Sequence, residues 1–476
     1  MSAPLWTGDE ALAALGATCA GPVPAALGGA SIDTRTIQPG DLFFALQGEA
    51  RDGHAFVADA LARGAAAAVV AAGREGEFSA GPLFVVPDVL AAMEAMGRAA
   101  RARTDAQIVA ITGSVGKTGS KEALRLVLAR SGATHASAAS YNNHWGVPLT
   151  LSRMPRESVY GIFEIGMNHA GEIAPLTRMV RPHVAVVTTV EAVHIEHFRS
   201  VLGIADAKGE IFAGIEPGGV AVLPRDNPQF ERLRAHAAAS PAGRIITFGE
   251  HPQADIRAER IIAKPDLSIV DARIFGAPLT YRVGMAGRHI ATNSLGLLAA
   301  VHALGADLAL AALALGDMTP PVGRGERTVI DLPGGQITVV DESYNANPAS
   351  MRAALATLGQ MDIGFRGRRV AVLGDMLELG ADGPRLHAEL AQAVEENNID
   401  LVFAAGPLMK NLKSALSPER RGGYASTSPE LQGAVLSAVR PGDTVMIKGS
   451  RGIRMEVVVN ALKDRFGQSA AAARQG

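Results

Sequence analysis

Residues 107–122 read QIVAITGSVGKTGSKE, and this stretch decides the fold of the chain. The apolar run 108–111 predicts a buried strand that stops at 112–113. A tight turn follows through 113–118, and the residues after it have the amphipathic pattern of a helix. Glycines let successive backbone N–H groups point at an anion, and the helix N-terminus adds positive potential. The segment therefore predicts a loop that binds the phosphates of a nucleotide.

Two side chains of this loop have an expected task. Lys117 can reach the outer phosphates, and the Thr118 hydroxyl can hold a magnesium ion. The loop is shorter than the usual G-x-x-x-x-G-K-[ST], since Ile111 stands where the first glycine would be. A Gly-Lys-Thr turn also occurs without a ligand, so the interpretation depends on the flanking strand and helix. The predicted nucleotide contacts are Thr112, Gly113, Ser114, Val115, Gly116, Lys117 and Thr118.

Length and composition limit the class of protein. A chain of 476 residues should hold about three domains at roughly 150 residues each. The 48% of hydrophobic residues allows sizeable cores, and a net charge of -2 gives no support for nucleic-acid binding. The single cysteine, Cys19, excludes an internal disulfide or a zinc cluster and suits a reducing compartment. We see no signal peptide and no membrane span, so we expect a cytoplasmic protein.

The pattern of elements predicts an α/β protein of three domains, 1–104, 105–320 and 321–476. The first is a small α/β unit with strands at 41–46 and 66–71 and helices at 55–63 and 90–103. Strands then alternate with helices, which predicts a central, parallel, doubly wound sheet and a third, Rossmann-like unit. The predicted central strands are 108–111, 159–163, 184–190, 220–223 and 245–248, with helices at 201–214 and 289–304. Residues 255–285 indicate an antiparallel edge, 318–323 a linker and 333–335 a hairpin turn; the predicted strands after them are 370–373, 401–404 and 444–447.

Polar residues after the central strands form the candidate metal site. Glu164 ends an apolar run, and ligands of open α/β sheets bind at the carboxyl ends of strands. It could complete a magnesium site with Thr118, although a solvated strand-end glutamate is the alternative. His194 lies past another strand, but magnesium prefers oxygen ligands, so the residues alone favour a polar loop there. By spacing alone, Lys208 is a surface lysine.

Other polar residues flank the expected cleft between domains. Asn142 and Asn143 precede a Gly-Val-Pro corner, where they could bind substrate or cap the following helix. Arg324 lies at the linker and Arg451 follows the last strand, where a cleft would need cations for phosphate or carboxylate. Exposed arginines are common, so a surface role stays open for both.

Together these motifs resemble the Mur ligase family over nearly the whole chain. The matching segments are SIDTRTIQPGDLFFALQGEARDGHAF, ITGSVGKTGSKE, NNHWGVPLTL, FEIGMNHAGEI, VHIEHF, DAKGEIF, GRHIATNSLGLLAA, VGRGER, VDESYNANPASM, VLGDMLELG and VMIKGSRGIRMEVVV. Within the family, DESYNANP, LGDMLELG and KGSRG are similar to the branch that joins D-alanyl-D-alanine to a UDP-N-acetylmuramoyl-tripeptide. The resemblance implies an ATP- and magnesium-dependent ligase that works through an acyl phosphate. It implies a monomer at the last cytoplasmic step of peptidoglycan precursor synthesis.

The resemblance also implies roles for single residues. Lys117 would bind the β- and γ-phosphates, while Thr118 and Glu164 would hold one magnesium ion. His194, with Glu164, would help to hold a second. Lys208 matches a lysine that the family carbamylates, which turns an ammonium into an oxygen ligand and needs a partly desolvated amine. The remaining ATP contacts would be Asn293 at adenine, Arg324 at the phosphates and Asp341 or Glu342 at the ribose.

The resemblance assigns each substrate mainly to one domain: the UDP end to the first, ATP to the second and the dipeptide to the third. The implied UDP contacts are Ser31, Asp33, Thr34 and Arg35. The implied contacts in the cleft toward the peptide and the dipeptide are Asn142, Asn143, Asn345, Asn347, Lys448, Ser450 and Arg451.

Three alternatives stay open at this point. The first is another amino-acid ligase of the same superfamily, such as a folylpolyglutamate synthase or the tripeptide-forming ligase, against which SIDTRT and DESYNANP argue. The second is a muropeptide-binding module that needs a partner; relatives of that kind carry a zinc-binding cysteine cluster, which one cysteine cannot supply. The third is a signalling GTPase, for which the sequence has no Asn-Lys-x-Asp guanine motif.

Overall fold

The computed structural model describes residues 4–48, 51–78, 81–138, 140–192, 198, 200–264, 266–320 and 323–473, with side chains to residue 467. The described residues form three sheets that follow one another along the chain, each with helices packed against it. This is the three-domain α/β architecture that the alternating pattern predicted.

The first unit contains a five-stranded sheet of order β1-β5-β4-β3-β2. Its elements are α1 (Gly8–Leu15), β1 (Thr18–Ala20), β2 (Gly29–Ser31), β3 (Asp41–Phe44), α2 (Val57–Ala62), β4 (Ala67–Ala71), β5 (Leu83–Val86) and α3 (Val89–Ala102). Only β1 runs antiparallel to its neighbour. The predicted strands at 41–46 and 66–71 are β3 and β4. The other strands have three or four residues, which is too short for a recognisable alternation.

The central unit contains a nine-stranded sheet of order β14-β13-β12-β11-β10-β9-β6-β8-β7. Its strands are β6 (Gln107–Thr112), β7 (Thr134–Ala136), β8 (Tyr160–Glu164), β9 (Val184–Val187), β10 (Val220–Pro224), β11 (Arg244–Gly249), β12 (Ile256–Ala263), β13 (Ser268–Ile274) and β14 (Ala277–Val283). Its helices are α4 (Lys117–Leu128), α5 (Gly146–Ser152), α6 (Ile173–Val180), α7 (Val201–Gly209), α8 (Phe230–Ala238), α9 (Arg288–Ala303) and α10 (Leu308–Leu315). The first seven strands pair in parallel, and β13 and β14 form the expected antiparallel edge.

Strand β6 lies inside this sheet, and this position explains its apolar sequence. Val109 and Ile111 pack into one apolar core, whereas Ile108 and Ala110 pack into the core on the opposite face. A parallel strand that is buried on both faces needs a continuous apolar run rather than an alternating one. The end of β6 is therefore held firmly where the phosphate loop begins.

Two predicted central elements were too long. The strand predicted at 184–190 ends at Val187, because Thr188 turns its hydroxyl to the Val115 carbonyl at 2.6 Å. The helix predicted at 201–214 is α-helical only to Gly209, and Glu210–Gly214 tighten into a 3-10 helix. Such a tight turn is common where an α-helix ends.

The third unit contains a six-stranded sheet of order β15-β16-β20-β17-β18-β19. Its elements are β15 (Glu326–Leu332), β16 (Gly335–Glu342), α11 (Pro348–Gln360), β17 (Arg369–Gly374), α12 (Gly383–Ala388), α13 (Leu390–Glu396), β18 (Leu401–Ala405), α14 (Met409–Ala415), β19 (Arg421–Ala425), α15 (Ser428–Ala438), β20 (Thr444–Lys448) and α16 (Glu456–Ala473). The predicted turn at 333–335 joins β15 and β16 as an antiparallel hairpin. Since β20 returns between β16 and β17, the winding of the sheet reverses there, which is where open α/β sheets bind ligands.

The expected domain boundaries, at 104/105 and 320/321, fall between the sheets and stay predictions. The linker at 318–323 also stays a prediction, since residues 321 and 322 lie outside the described part of the chain.

The first two units pack closely. The Trp6 indole N–H donates to the Ser152 carbonyl at 2.9 Å, and Arg101 donates to the carbonyls of Val180 and Arg181 at 2.8 and 2.9 Å. Among the described residues, no helix has the length and apolar character needed to cross a membrane.

Candidate functional site

The predicted phosphate loop connects β6 to α4, and two of its glycines have a neighbouring side chain where a Cβ would lie. A Cβ on Gly113 would lie 1.8 Å from Thr188 Oγ1, and one on Gly116 would lie 2.5 Å from Asn293 Nδ2. Gly116 also has φ 85, in the left-handed region that favours glycine. As the N-cap of α4, it supplies no side chain to the helix end. The first N–H groups of α4 are therefore left for a ligand.

The loop is fixed by the residues that follow the neighbouring strand β9. The Ser114 N–H donates to the Thr189 carbonyl at 2.9 Å. The Ser114 hydroxyl donates to the Glu191 carbonyl at 3.1 Å and accepts from the Glu191 N–H at 2.9 Å. Thr188 holds the Val115 carbonyl from the same side. These bonds arrange the loop before any ligand binds, which lowers the cost of binding.

Lys117 begins α4 and bends back over the loop. Its Nζ donates to the Gly113 carbonyl at 2.7 Å. Burial lowers the pKa of Lys117, the carboxylate of Glu164 opposes this shift, and the nearby Arg324 adds to it. A phosphate at the loop would supply the negative charge that this cationic cluster favours.

Thr118 and Glu164 meet as the strand-end rule predicted. The Thr118 hydroxyl donates to Glu164 Oε2 at 3.0 Å, and Asn142 Nδ2 donates to Oε1 at 2.7 Å. The carboxylate is buried, with 2% of the residue exposed, so both of its oxygens need these partners. The alternative of a solvated strand-end glutamate is therefore wrong.

The same two oxygens suit a magnesium ion. A hydroxyl and a carboxylate are hard oxygen ligands, and neighbouring ligands of octahedral magnesium lie about 2.9 Å apart. The two oxygens are separated by 3.0 Å. No cluster of three or more His, Cys, Asp or Glu side chains suitable for a metal occurs in the described part of the chain. Magnesium often keeps several waters and takes few protein ligands, so a site with this small number of side-chain oxygens is compatible with it. The predicted ligand His194 lies outside the described residues.

Lys208 lies on α7 and is not the surface lysine that its spacing suggested. Only 2% of the residue is exposed. Burial lowers its pKa well below the ordinary value, and the charge of Lys117 adds to the shift. The sequence could not reveal this, because the burial of Lys208 depends on the packing of α7 against other elements, among them α8. The resemblance, by contrast, implied a desolvated amine here, and the burial agrees with it.

A cavity of about 1590 Å³ brings most of the predicted residues together. Ligand pockets usually measure about 300–1,000 Å³, so this one has room for more than one substrate. It lies between the central and third units. The predicted residues that line it are Ser114, Val115, Gly116, Lys117, Thr118, Asn142, Glu164, Asn293, Arg324, Glu342, Asn345, Asn347, Lys448, Ser450 and Arg451.

Some predicted residues have other tasks. Asp341 is buried and accepts from the Ser343 N–H and hydroxyl at 3.0 and 2.6 Å. Because strand side chains alternate, it is Glu342 that lines the cavity, where it accepts from Lys448 Nζ at 3.2 Å. Asn143 accepts from the N–H of Gly146, the first residue of α5, at 2.9 Å. This contact agrees with the second of its two predicted roles, capping of the following helix. Thr112 and Gly113 are not among the residues that line the cavity.

Within the cavity, two predicted residues already serve the fold of the third unit. Asn347 caps α11 by accepting from the Ser350 N–H at 2.8 Å. The Ser450 hydroxyl accepts from the Leu377 N–H at 3.0 Å. Their predicted contacts with substrate would have to use the remaining polar atoms of these side chains.

The predicted UDP contacts lie at the end of β2 and in the loop after it, and none of them lines this cavity. The Ser31 hydroxyl donates to the Asp33 carbonyl at 3.1 Å, and Arg35 pairs with the Asp33 carboxylate at 2.6 Å. The Arg35 side chain is 84% exposed, and Thr34 lies between the members of this pair. Their role in substrate binding stays a prediction.

Sequence reasoning missed two residues of the site, Tyr344 and Ser140. The Tyr344 ring lies 4.3 Å from the Arg324 guanidinium and 5.5 Å from that of Arg451. Its hydroxyl donates to Ser140 Oγ at 3.1 Å. The signal was present, since Tyr344 belongs to the DESYNANP segment and Ser140 directly precedes the YNNHW segment. Their contact across the cleft required the fold.

Family models match three parts of the chain. They are described as "Mur ligase family, catalytic domain" at residues 27–104, "Mur ligase middle domain" at 111–301 and "Mur ligase, glutamate ligase domain" at 323–451.

Curated relatives and solved structures agree with these models. A UDP-N-acetylmuramoyl-tripeptide–D-alanyl-D-alanine ligase of Escherichia coli (strain K12) is 33% identical over 91% of this chain and 93% of its own length. The enzyme of that name from Synechocystis is 34% identical over 90% of each chain. The crystal structure of MurF from Acinetobacter baumannii matches with a TM-score of 0.84 and 29% identity, and covers 97% of this chain and 100% of that one. On this combined evidence of sequence and fold, the chain belongs to the Mur ligase family.

Proposed function

We propose that the protein is an ATP-dependent amide ligase that joins D-alanyl-D-alanine to a UDP-N-acetylmuramoyl-tripeptide. The observation that carries this proposal is the shared cavity, in which the phosphate loop and the Thr118–Glu164 pair face residues of the third unit. The names of the relatives support the substrates, since the similarity to each relative extends over at least nine-tenths of this chain. The product would be the UDP-linked pentapeptide, the last cytoplasmic intermediate of peptidoglycan precursor synthesis.

The cofactors of this proposal are ATP and magnesium. The loop would hold the phosphates through its N–H groups and Lys117, and Asn293 beside Gly116 would face the adenine side. Glu342 is the better placed of the two carboxylates for the ribose. Thr118 and Glu164 would hold magnesium, which supplies positive charge to the phosphate oxygens. His194 would join them if its predicted role holds.

The resemblance implies that the carboxylate of the tripeptide takes the γ-phosphoryl group and becomes an acyl phosphate, which the dipeptide amine then attacks. Lys117 neutralises charge on the transferring group in this scheme. Arg324 and Arg451 face the same cavity and provide further cations for phosphate or carboxylate. A third unit closed over the loop would limit the access of water, which would destroy the acyl phosphate.

Lys208 fits a supporting role as a carbamate. Its depressed pKa leaves a larger fraction of neutral amine at neutral pH, and only the neutral amine reacts with carbon dioxide. The product carries a negative charge and hard oxygens, and it would relieve the repulsion between Lys208 and Lys117. We therefore include the modified Lys208 among the proposed metal-site residues.

A phosphate-release assay on the purified protein with ATP and magnesium tests the proposal. We expect release that requires both the UDP-linked tripeptide and D-alanyl-D-alanine, and a Lys117→Ala variant that has lost it. The Lys413→Ala variant, altered on α14 and outside the cavity lining, is the matched control. Turnover with a single amino acid in place of the dipeptide would indicate another ligase of the family. An inactive protein that gains activity from a partner would support the binding-module alternative.

The proposal places the protein in the cytoplasm as a monomer without a nucleic-acid partner. The nucleotide-linked substrate, the single cysteine and the near-neutral charge support this placement. Size-exclusion chromatography with light scattering would test the monomer, and a mass of twice 49.3 kDa would contradict it.

A further inference from the structure

Tyr344 of the third unit reaches across the cleft to the central unit. Its hydroxyl donates to Ser140 Oγ at 3.1 Å, a residue 204 positions earlier in the chain. Its ring centroid lies 4.3 Å from the Arg324 guanidinium and 5.5 Å from that of Arg451. One side chain thus contacts the opposite unit and both arginines of the cleft.

The backbone of Tyr344 is fastened to the linker region. Its N–H donates to the Gly323 carbonyl at 3.1 Å, and the Gly325 N–H donates to the Asp341 carbonyl at 2.7 Å. Gly323 has φ 72, and a Cβ on it would lie only 3.1 Å from the Tyr344 Cβ. Tyr344 therefore moves together with the segment on which the third unit would turn.

The contact with Ser140 continues to the candidate magnesium site. Ser140 Oγ lies 3.3 Å from Thr118 Oγ1, which lies 3.0 Å from Glu164 Oε2. A hydroxyl has one proton to donate, and a carboxylate oxygen can only accept. Since Thr118 gives its proton to Glu164, Ser140 must donate to Thr118, and Ser140 must then accept from Tyr344. The chain of hydrogen bonds has one direction, from Tyr344 to Glu164.

We propose that Tyr344 is a positioning residue, which makes the order of the Thr118–Glu164 pair depend on the orientation of the third unit. The inference rests on the proposed function, because that function places nucleotide and magnesium at this pair. When the third unit turns away, Ser140 loses its donor, and its hydroxyl and that of Thr118 become free to rotate toward water. With Tyr344 in place, both hydroxyls are held in one orientation. The phosphate site is thus fully arranged only when the third unit covers it.

Three variants separate this role from simple packing. Tyr344→Phe keeps the ring beside the arginines and removes only the hydroxyl, and Ser140→Ala removes the middle of the hydrogen-bond chain. Tyr424→Phe is the matched control: this tyrosine also belongs to the third unit and faces a cation, Lys413 at 5.2 Å, but it is not part of the cavity wall.

Steady-state phosphate release is the first measurement. We expect Tyr344→Phe and Ser140→Ala each to lower kcat by about twofold to tenfold, the usual effect of one hydrogen bond. The KM for ATP should change little, since the loop itself is intact. The double variant should be no slower than the slower single variant, because both changes break one chain. Additive losses of kcat in the double variant would mean that Tyr344 acts through the arginines instead. That result would overturn the proposed chain of hydrogen bonds.

Hydrogen exchange without substrates is the second measurement and does not depend on turnover. The amides of Gly325 and Tyr344 should exchange faster in both single variants than in the wild type. In Tyr424→Phe their exchange rates should equal those of the wild type. Wild-type kcat together with wild-type exchange in Tyr344→Phe would overturn the inference. A wild-type protein that releases no phosphate would overturn the proposed function, while the exchange data would still decide the role of Tyr344.

Discussion

Lys208 is buried, although the sequence around it predicts an exposed lysine. It lies on α7 beside the buried Ile204, Ala205 and Ala207. A charged ammonium in such surroundings is costly, and its low pKa expresses this cost. A buried lysine whose neutral form is favoured is available for covalent modification. Carbamylation would be such a modification.

The first prediction concerns this residue. Lys208→Ala should lower phosphate release by about 10-fold to 100-fold, as losses around metal sites commonly do. Formate or acetate should restore part of the activity, because a small carboxylate can occupy the space of the carbamate. Sodium chloride at equal ionic strength is the control. An alanine variant with wild-type turnover, or one that chloride restores equally, would contradict a carbamate at this position.

The strand–loop–helix of residues 107–128 is the element on which nucleotide binding depends. Its glycines were predicted to let the backbone wrap a phosphate. The structure adds a second reason, since a Cβ on Gly113 would overlap Thr188 and one on Gly116 would displace the Asn293 amide. At Gly116 this contact adds to the left-handed backbone conformation that favours glycine.

The second prediction tests this element. Gly116→Ala should lower the free energy of unfolding by about 1–2 kcal/mol, because alanine is strained in the left-handed conformation. The added Cβ should also displace the Asn293 amide. Calorimetric titration with ADP should show binding weaker by about tenfold or more, since tenfold corresponds to about 1.4 kcal/mol. Gly433→Ala on α15, where a Cβ meets nothing within 4 Å, is the matched control. Unchanged ADP affinity in Gly116→Ala would argue against binding at this loop.

At the scale of the whole molecule, the two junctions between units differ. The first unit is joined to the central one by buried bonds, of which those of Trp6 and Arg101 are examples. The described third unit meets the central one around a large cavity. This difference favours a third unit that turns while the first two stay together, as closure over substrates would require.

The third prediction follows from the firm junction. Arg101→Met leaves the carbonyls of Val180 and Arg181 without their donor, so the free energy of unfolding should fall by about 1–3 kcal/mol. Urea denaturation measures this loss. ADP affinity should not change, because Arg101 lies near Gln107, at the opposite end of β6 from the phosphate loop. Arg98→Met, on the exposed face of the same helix, is the control. Equal stability of the two variants would show that the junction bonds contribute little.

Much of this architecture could be predicted because it depends on neighbours along the chain. Apolar runs located the strands of the central sheet, and the turn at 333–335 located the hairpin. Errors occurred at element ends, where contacts from elsewhere decide. Strand β9 stops at Val187 because Thr188 bonds to the phosphate loop.

The sequence by itself determined the phosphate loop, the alternation of strands and helices, and the strand-end place of Glu164. These follow from residue types at fixed spacing, since backbone conformation and apolar periodicity are local properties. Only the tertiary structure decided that Lys208 is buried, that Glu342 rather than Asp341 faces the cavity, and that Tyr344 reaches Ser140. Burial and contact depend on segments that lie far apart in the chain, and no local pattern encodes which of them will meet.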